Sequence, residues 1–272
     1  MPIGNTAKIT HTVMADRSSI IAQFGFLAND TKAAMHSVKK TNLSGEKMNQ
    51  NSSKLIKVWG IESGRCMRVH WMALELGLDY EIVPIRARSG ETSTEVFTKL
   101  NPIQKIPVLQ HGPMILSESA AIINYMAETF PLPNDFYVAE DAVGRAKLNE
   151  WCYFIMTELD AHSLYLIRRH DSLKAIYGAE PTAVASAEEY FKKQIGAACK
   201  RIKKGAMYLI ENQFSIADIL LTSCLDWAVA YEIDLPDLMR SYREKIHKRP
   251  RFQDAFAINF PNGIPKSVLR SA

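Results

Sequence analysis

The stretch from residues 55 to 85 constrains the fold most, because its pattern changes from strand to helix to strand within about thirty residues. The run "LIKVWGI" is rich in β-branched and aromatic residues and is bounded by Gly60, which is typical of a strand. From 65 to 76 apolar residues recur every three or four positions, and Gly77 follows where a helix would end. The run "YEIVPI" then predicts a second strand. A βαβ unit of this kind has parallel strands and a right-handed crossover.

Two shorter apolar runs, "IPVLQ" and "PMILS", predict a β-hairpin with His111 and Gly112 as its turn, followed by a helix from about Ser117. Pro107 cannot donate a hydrogen bond to a ladder, so it marks a sheet edge or a cis peptide bond. A cis Ile106-Pro107 bond would turn the Ile106 backbone toward a ligand. The order βαβ-ββα predicts an open, mixed four-stranded sheet of the thioredoxin-like kind.

Beyond Pro131 and Pro133 the pattern is helical, with long amphipathic runs at about 141 to 168 and 183 to 211. The fold class is therefore α/β plus all-α. We expect an extension of unknown role at 1–53, a thioredoxin-like domain at 54–132, a linker at 133–142, an all-helical domain at 143–262 and a tail at 263–272.

The helical domain contains the run "FSIADILL", which has the pattern of a capping box. Ser215 would be the N-cap, Asp218 would be the third helical residue, and Phe214 would pack on Ile219 across the first turn. This motif predicts the start of a buried helix. A further helix is expected at about 238 to 247, followed by one short helical turn.

Composition limits the classes of protein that this chain can belong to. With 47% hydrophobic and 23% charged residues it has an ordinary globular composition, and its four cysteines are far apart. Neither a disulfide framework nor a metal site is indicated, so a reducing, cytoplasmic location is expected. The longest apolar run outside the predicted domains, "SIIAQFGFLA", is about half of the ~20 residues that a membrane helix needs.

The net charge of +4 does not point to nucleic acid. Residues 1–53 hold six Lys or Arg and three Asp or Glu, which places +3 of the +4 in the extension. The rest is nearly neutral and shows no basic stripe with interleaved aromatic residues. The extension itself is interpreted as a loosely structured segment or a transit peptide, and Asp16 and Asp30 count against the second reading.

The run "ESGRCMRVHW" places Ser63 and Cys66 three residues apart at the predicted strand-to-helix turn. This is the spacing of a redox Cys-x-x-Cys pair with the first sulfur replaced by oxygen. Ser63 can be a helix cap, or it can donate a hydrogen bond to a thiolate supplied by a substrate. Cys66 can be a reactive thiol or, since it shares an apolar stripe with Val69 and Ala73, part of the core.

Three segments together resemble the characteristic motifs of the cytosolic glutathione transferase family: "NPIQKIPVL", "SESAAIINY" and "FSIADI". In the first of them, Ile106 stands where the family usually has valine. The resemblance runs from about residue 54 to 260. It implies an enzyme that activates the thiol of bound glutathione for attack on a hydrophobic electrophile, as in detoxification. It also implies glutathione as co-substrate, no metal, and a homodimer.

The same resemblance assigns roles to individual residues. Ser63 lies where serine-type classes such as theta and zeta keep their catalytic hydroxyl. Glu118 and Ser119 would hold the γ-glutamyl end of glutathione, Ile106 would pair with its cysteinyl backbone, and Lys105 would approach its glycyl carboxylate. A helix N-terminus favours a bound carboxylate, which suits Ser119.

Two alternatives stay open for the function. The chain could be a non-catalytic glutathione-fold module that binds ligands or docks partners, or a glutathione-dependent thiol-disulfide reductase that uses Cys66. In the helical domain, "LYLIRRHDSL" predicts favourable charge at a helix end, or a group that faces the cleft and binds an electrophile or the glycyl carboxylate. The residues concerned are Tyr165, Arg168, Arg169 and His170. Trp151 and Trp227 are expected in the core.

Overall fold

The computed structural model describes residues 56 to 210 and 212 to 270. The predictions about residues 1–53 lie outside this part of the chain. Within it, no helix has the length and apolar character needed to cross a membrane.

The N-terminal part is built on a four-stranded sheet in the order β2-β1-β3-β4. Strands β1 and β2 are parallel, and Val58 pairs with Ile82. Strand β3 is antiparallel to both β1 and β4. The strands are β1 (Ile56–Trp59), β2 (Glu81–Val83), β3 (Val108–His111) and β4 (Met114–Ser117). The predicted βαβ-ββα order and mixed sheet are confirmed.

Two details of the sheet differ from the sequence-based prediction. His111 pairs with Met114, so the hairpin loop consists of Gly112 and Pro113 and lies one residue later than predicted. Gly112 has a φ of 57°, a left-handed conformation that glycine adopts without a steric penalty. Strand β2 ends at Val83, because Pro84, which follows it, has no N–H to extend the ladder.

Three α-helices pack around the sheet, and the first of them is central to the molecule. They are α1 (Gly64–Glu75), α2 (Glu95–Leu100) and α3 (Ser119–Thr129), and a 3-10 turn at Glu91–Ser93 precedes α2. Helix α1 packs against α3 and against two helices of the C-terminal part. One continuous apolar cluster, with Val69, Ile122, Leu220 and Phe252 among its members, therefore spans both domains.

The C-terminal part is helical, and the run predicted at about 141 to 168 is observed as three consecutive helical segments from residue 142 to residue 170. Its helices are α4 (Ala142–Phe154), a π-helix (Ile155–Leu164), α5 (Tyr165–His170), α6 (Lys174–Tyr177), α7 (Pro181–Arg201), α8 (Ile216–Ala230), α9 (Asp237–His247), α10 (Pro250–Asn259) and a 3-10 turn (Lys266–Val268).

The helix predicted at 183 to 211 is too long. Helix α7 ends at Arg201, because Ile202 is extended and Gly205 has a φ of 82°. The short turn predicted after α9 is instead the full helix α10, which begins at Pro250 and runs for 10 residues. Proline is well tolerated at the first position of a helix, so it starts α10 as well as ending α9.

The predicted capping box is present at the start of α8. The Asp218 carboxylate accepts hydrogen bonds from the Ser215 N–H at 2.8 Å, the Leu209 N–H at 2.9 Å and the Tyr242 hydroxyl at 2.6 Å. Burial raises the pKa of Asp218 despite these bonds. Phe214 is fully buried, and the centre of its ring lies 5.5 Å from that of Trp71 on α1. The motif thus fixes the chain entering the central buried helix of the second domain.

A buried ion pair joins the two domains. Arg68 of α1 donates from Nη2 to Oδ2 of Asp160 at 2.7 Å, and the side chains of both residues are 1% exposed. Arg65, one turn earlier on α1, binds the other carboxylate oxygen. Burial alone would raise the pKa of Asp160, but the charges of Arg68 and Arg65 outweigh it and hold the pKa below its usual value. Asp160 is therefore ionised at neutral pH.

A buried histidine ties α1 to the strand before it. Nε2 of His70 lies 2.9 Å from the Gly60 carbonyl oxygen, and Nδ1 lies 2.9 Å from the Tyr80 hydroxyl. Burial lowers the pKa of His70 from 6.5 to about 4, against the effect of the bond to Gly60. The ring is consequently neutral in the folded protein at physiological pH.

This neutral histidine predicts a loss of stability in mild acid. Between about pH 6.5 and 4 the unfolded chain binds a proton at His70 that the folded protein does not bind, so stability falls as pH is lowered. The loss from this group is about 3 kcal/mol. The measurement is urea unfolding of the wild type and of His70→Gln at several pH values. Between pH 6.5 and 4, the free energy of unfolding of the variant should fall by about 3 kcal/mol less than that of the wild type. An equal loss of stability in the two proteins would show that His70 is not the group responsible.

The interdomain ion pair predicts a large cost for removing its carboxylate. Asp160→Asn leaves the buried Arg68 guanidinium without a counter-charge, which should lower the free energy of unfolding by about 3–5 kcal/mol. The control is Glu150→Gln, since the Glu150 side chain is 63% exposed and pairs with Arg201 at the surface. Measured by urea unfolding, Glu150→Gln should lower the free energy of unfolding by less than about 1 kcal/mol. Similar costs for both variants would show that Asp160 does not anchor the domains.

Candidate active site

Ser63 lies at the turn between β1 and α1, as the N-cap of α1. Its Oγ accepts a hydrogen bond from the backbone N–H of Arg65 at 3.2 Å. Because the oxygen is the acceptor in this bond, the cap does not use the hydroxyl proton. The Cys66 side chain also forms a hydrogen bond with this hydroxyl, and a neutral thiol can be the donor in that contact. Helix capping and hydrogen-bond donation to a substrate are therefore compatible roles for the same side chain.

The Ser63 turn is held from the far end of the chain by Asn259, the last residue of α10. Nδ2 of Asn259 donates to the Ser63 carbonyl oxygen at 3.1 Å, and the Asn259 carbonyl accepts from the Glu62 N–H at 2.8 Å. Glu62 has a φ of 57°, which is uncommon for a residue other than glycine. Asn259 is fully buried, so these bonds are shielded from water. The sequence contained no local signal for this contact.

Cys66 lies one turn into α1 and is fully buried. Burial raises the pKa of its thiol to about 12, against the opposing effects of Ser63 and Arg65. Thiolate is the reactive form of cysteine, and very little of it exists at neutral pH with such a pKa. A side chain at Gly60 would meet the Cys66 sulfur at 2.8 Å, so the packing around this sulfur is tight. These observations favour the core interpretation of Cys66.

The segment before β3 has the expected cis peptide bond between Ile106 and Pro107. Asn101 shapes this segment, since its Nδ2 donates to the Lys105 carbonyl at 2.9 Å and its Oδ1 accepts from the Ile103 N–H at 3.2 Å. Ile106 is buried, whereas the Lys105 side chain is exposed. The loop thus presents its lysine to the surface next to a fixed backbone.

Glu118 and Ser119 lie at the start of α3 in different environments. Glu118 is the exposed N-cap residue and has a φ of 68°, a conformation that a residue with a side chain rarely adopts. Such strain is typically of order 1–3 kcal/mol and is found mostly at binding sites and active sites. Ser119 is buried, and its Oγ accepts a hydrogen bond from Nη1 of Arg68 at 3.1 Å.

Arg68 is the residue that sequence reasoning missed at this site. Besides Asp160 and Ser119, its guanidinium donates from Nε to the Ser223 Oγ at 2.6 Å. It therefore connects the start of α3 with α8 and with the π-helix of the second domain. The available signal was the spacing of Arg65 and Arg68, which places two guanidinium groups one helical turn apart and suits a shared carboxylate.

Arg65 belongs to a cluster of three cationic side chains and two aromatic rings. The Arg65 guanidinium carbon is 4.8 Å from the centre of the Tyr165 ring and 5.7 Å from that of Trp227. The guanidinium carbon of Arg168 is 5.9 Å from the Trp227 ring, and Nζ of Lys105 is 5.9 Å from the Tyr165 ring. We refer to these five residues as the arginine–aromatic cluster.

The four residues of the motif "LYLIRRHDSL" that were considered together in the sequence do not all lie in this cluster. Tyr165 and Arg168 belong to it, whereas Arg169 is exposed and stacks on Tyr177 at 4.7 Å, and the His170 ring lies 3.1 Å from the Gly178 carbonyl oxygen. Trp227 is half-buried in the cluster rather than fully within the core. No group of side chains suited to hold a metal ion occurs in the described ranges.

Comparison with known proteins identifies the two parts of the chain. The family model for the glutathione S-transferase N-terminal domain matches residues 54–128, and that for the C-terminal domain matches residues 154–250. A glutathione S-transferase of Hyoscyamus muticus is 30% identical over 155 residues, 56% of this chain and 72% of that protein. Glutathione S-transferase Z1 of Arabidopsis thaliana is 25% identical over 82% of this chain and 100% of its own length.

A further relative, glutathione S-transferase theta-1 of Bos taurus, is 27% identical, with the match spanning 43% of this chain and 48% of that protein. Among solved structures, the theta class enzyme of Xanthomonas axonopodis pv. citri with glutathione bound has a TM-score of 0.64 at 21% identity, over 78% of this chain and 100% of that one. A homologue from Drosophila mojavensis with bound glutathione has a TM-score of 0.67, again at 21% identity, over 78% and 94% of the two chains.

The structural matches show the fold, and the sequence matches extend to both domains. They confirm the expected thioredoxin-like domain followed by a helical domain, and the theta and zeta names among the relatives agree with the resemblance drawn from the motifs. The chain belongs to the glutathione S-transferase family.

Proposed function

We propose that this protein activates the thiol of bound glutathione and transfers the thiolate to a hydrophobic electrophile. The observation that carries the proposal is the position of Ser63, whose hydroxyl oxygen caps α1 as a hydrogen-bond acceptor, so that the cap does not use its proton. Two structural neighbours were solved with glutathione bound, which supports glutathione as the co-substrate. The nucleophile is then supplied by the substrate and not by a cysteine of the protein.

The Ser63 hydroxyl would stabilise the glutathione thiolate by a hydrogen bond. A free thiol has a pKa of about 8.5, and one unit of lowering corresponds to about 1.4 kcal/mol. A charge-assisted hydrogen bond is worth about that much, and the N-terminus of α1 adds its partial positive charge. The thiol proton passes to solvent, the sulfur forms a bond to the electrophilic carbon, and a leaving group, where present, departs with its electron pair.

The binding site for glutathione would lie in the N-terminal domain. Glu118 would neutralise the ammonium of the γ-glutamyl end, and Ser119 with the N-terminus of α3 would bind its carboxylate. The backbone of Ile106 would pair with the cysteinyl unit, and Lys105 would contact the glycyl carboxylate. Arg68 would act as a positioning residue, because it fixes the Ser119 hydroxyl.

The competing functions make different demands on the structure. A reductase would need a reactive Cys66, which its complete burial and raised thiol pKa oppose. A docking module would bind glutathione without activating its thiol. Assembly as a homodimer, a cytoplasmic location and a role in detoxification remain predictions, and sedimentation at micromolar concentration would test the first of them.

The role of Ser63 predicts a shift in the pH dependence of turnover. With 1-chloro-2,4-dinitrobenzene as electrophile, Ser63→Ala should lower kcat/KM at pH 7 by roughly 100-fold, because it removes the donor to the thiolate. Activity should recover at alkaline pH, with the profile displaced upward by about one unit or more. Cys66→Ala is the control and should keep the wild-type pH profile. An unchanged profile in Ser63→Ala would refute this mechanism.

The role of Glu118 predicts an effect on glutathione binding rather than on chemistry. Glu118→Gln removes the charge opposite the substrate ammonium but keeps the size of the side chain, so the KM for glutathione should rise by roughly tenfold with little change in kcat. Glu128→Gln, an exposed carboxylate at the other end of α3, is the matched control and should leave the KM unchanged. Equal KM values for the two variants would remove Glu118 from the site.

A further inference from the structure

Arg168 has an unusual electrostatic position in the arginine–aromatic cluster. Its side chain is half-buried, and within the part of the chain that the structure describes it forms no salt bridge. Its guanidinium carbon lies 5.9 Å from the centre of the Trp227 ring, and the charges that lower its pKa are those of Arg88 and Arg65. Burial and these two arginines lower the pKa of Arg168. A guanidinium in such surroundings is poorly compensated and would gain from a bound anion.

The carboxylate closest to the cluster is already in use. Asp160 binds both Arg65 and Arg68, so one negative charge is shared between two positive ones. Glu62, on the other side of the Ser63 turn, pairs with Arg86 at 2.8 Å. The positive charge of Arg168 is therefore not balanced by the acidic side chains near Ser63.

Glutathione itself does not account for Arg168 either. Under the proposed function, its charged groups are matched by residues of the N-terminal domain: Glu118 for the ammonium, Ser119 and Lys105 for the carboxylates, and Ser63 for the thiolate. Arg168 lies on α5, and the Trp227 ring that it contacts lies on α8, both in the helical domain. This side of the cluster is left for the second substrate.

We propose that Arg168, Trp227 and Tyr165 form a subsite for an aromatic electrophile that carries a carboxylate. The rings would stack on the aromatic part, and the guanidinium would bind the carboxylate, a geometry for which arginine is well suited. This inference rests on the proposed function and narrows it, since the preferred second substrate becomes an anionic aromatic compound and not a neutral hydrophobic one.

A suitable substrate pair is 4-(chloromethyl)benzoate and its methyl ester. In both, the glutathione sulfur forms a bond to the benzylic carbon, the carbon–chlorine bond breaks, and chloride leaves with the electron pair, while the thiol proton goes to solvent. The two compounds differ in the charge at the far end of the ring. Rates are divided by the uncatalysed rate of each compound to remove their difference in intrinsic reactivity.

Binding is measured separately from turnover, with the two conjugates that these chlorides would form. They are S-(4-carboxybenzyl)glutathione and S-(4-methoxycarbonylbenzyl)glutathione, which differ only in the charge at the far end of the benzyl ring. Isothermal titration calorimetry on the wild-type protein should give at least roughly tenfold tighter binding of the carboxylate, as expected for one hydrogen-bonded charge pair. Arg168→Met should abolish this preference, and Arg168→Lys should retain part of it. Arg169→Met, which removes the exposed neighbouring charge, should keep the full preference.

Two results would overturn the subsite. One is equal affinity of the wild-type protein for both conjugates. The other is an Arg168→Met variant that binds glutathione and both conjugates more weakly by the same factor, because Arg168 would then serve glutathione itself. Turnover separates this inference from the proposed function: a charge preference in binding without conjugation of either chloride would leave the anion subsite intact and refute the transferase activity.

Discussion

The Asp160 carboxylate links the two domains and also positions residues of the candidate active site. It lies within the π-helix and binds two arginines of α1, a helix whose N-cap is Ser63. Through Arg68 it also fixes Ser119 at the start of α3. π-Helical segments are rare and occur often at functional sites. One buried charge in such a segment therefore sets the positions of α1 and α3, which carry the two ends of the proposed glutathione site.

Under the proposed function, the chemistry of the site is divided between the two domains. The N-terminal domain carries the residues proposed to bind and activate glutathione, and its own thiol, Cys66, is buried with a raised pKa. The helical domain contributes Arg168 and Trp227 to the arginine–aromatic cluster, where the Trp227 ring also contacts Arg65 of the N-terminal domain. This division would explain how a fold with the spacing of a redox motif acts without a reactive cysteine. Under the proposed function, the nucleophile would arrive with glutathione, and the helical domain would select the second substrate.

The order of strands and helices was predictable from the sequence because it depends on short-range patterns: alternation, helical periodicity and the capping box around Ser215. The contacts that hold the site were not. Arg68 and Asp160 are 92 residues apart, and Asn259 reaches Ser63 across 196 residues. Such pairs leave no local periodicity. The helix predicted at 183 to 211 shows the opposite error, because the helical pattern of the sequence continues past Ile202, where the backbone becomes extended. The domain boundaries stay predictions.

The central claim is that the protein lowers the pKa of a thiol that it does not itself contain. The most direct test follows thiolate absorbance near 240 nm while glutathione bound to the protein is titrated with base. Burial raises the thiol pKa of Cys66, Cys152 and Cys224 to about 12, so these groups contribute little below pH 9. We predict a bound glutathione pKa at least about one unit below 8.5. Saturable binding with an unshifted pKa would contradict the account.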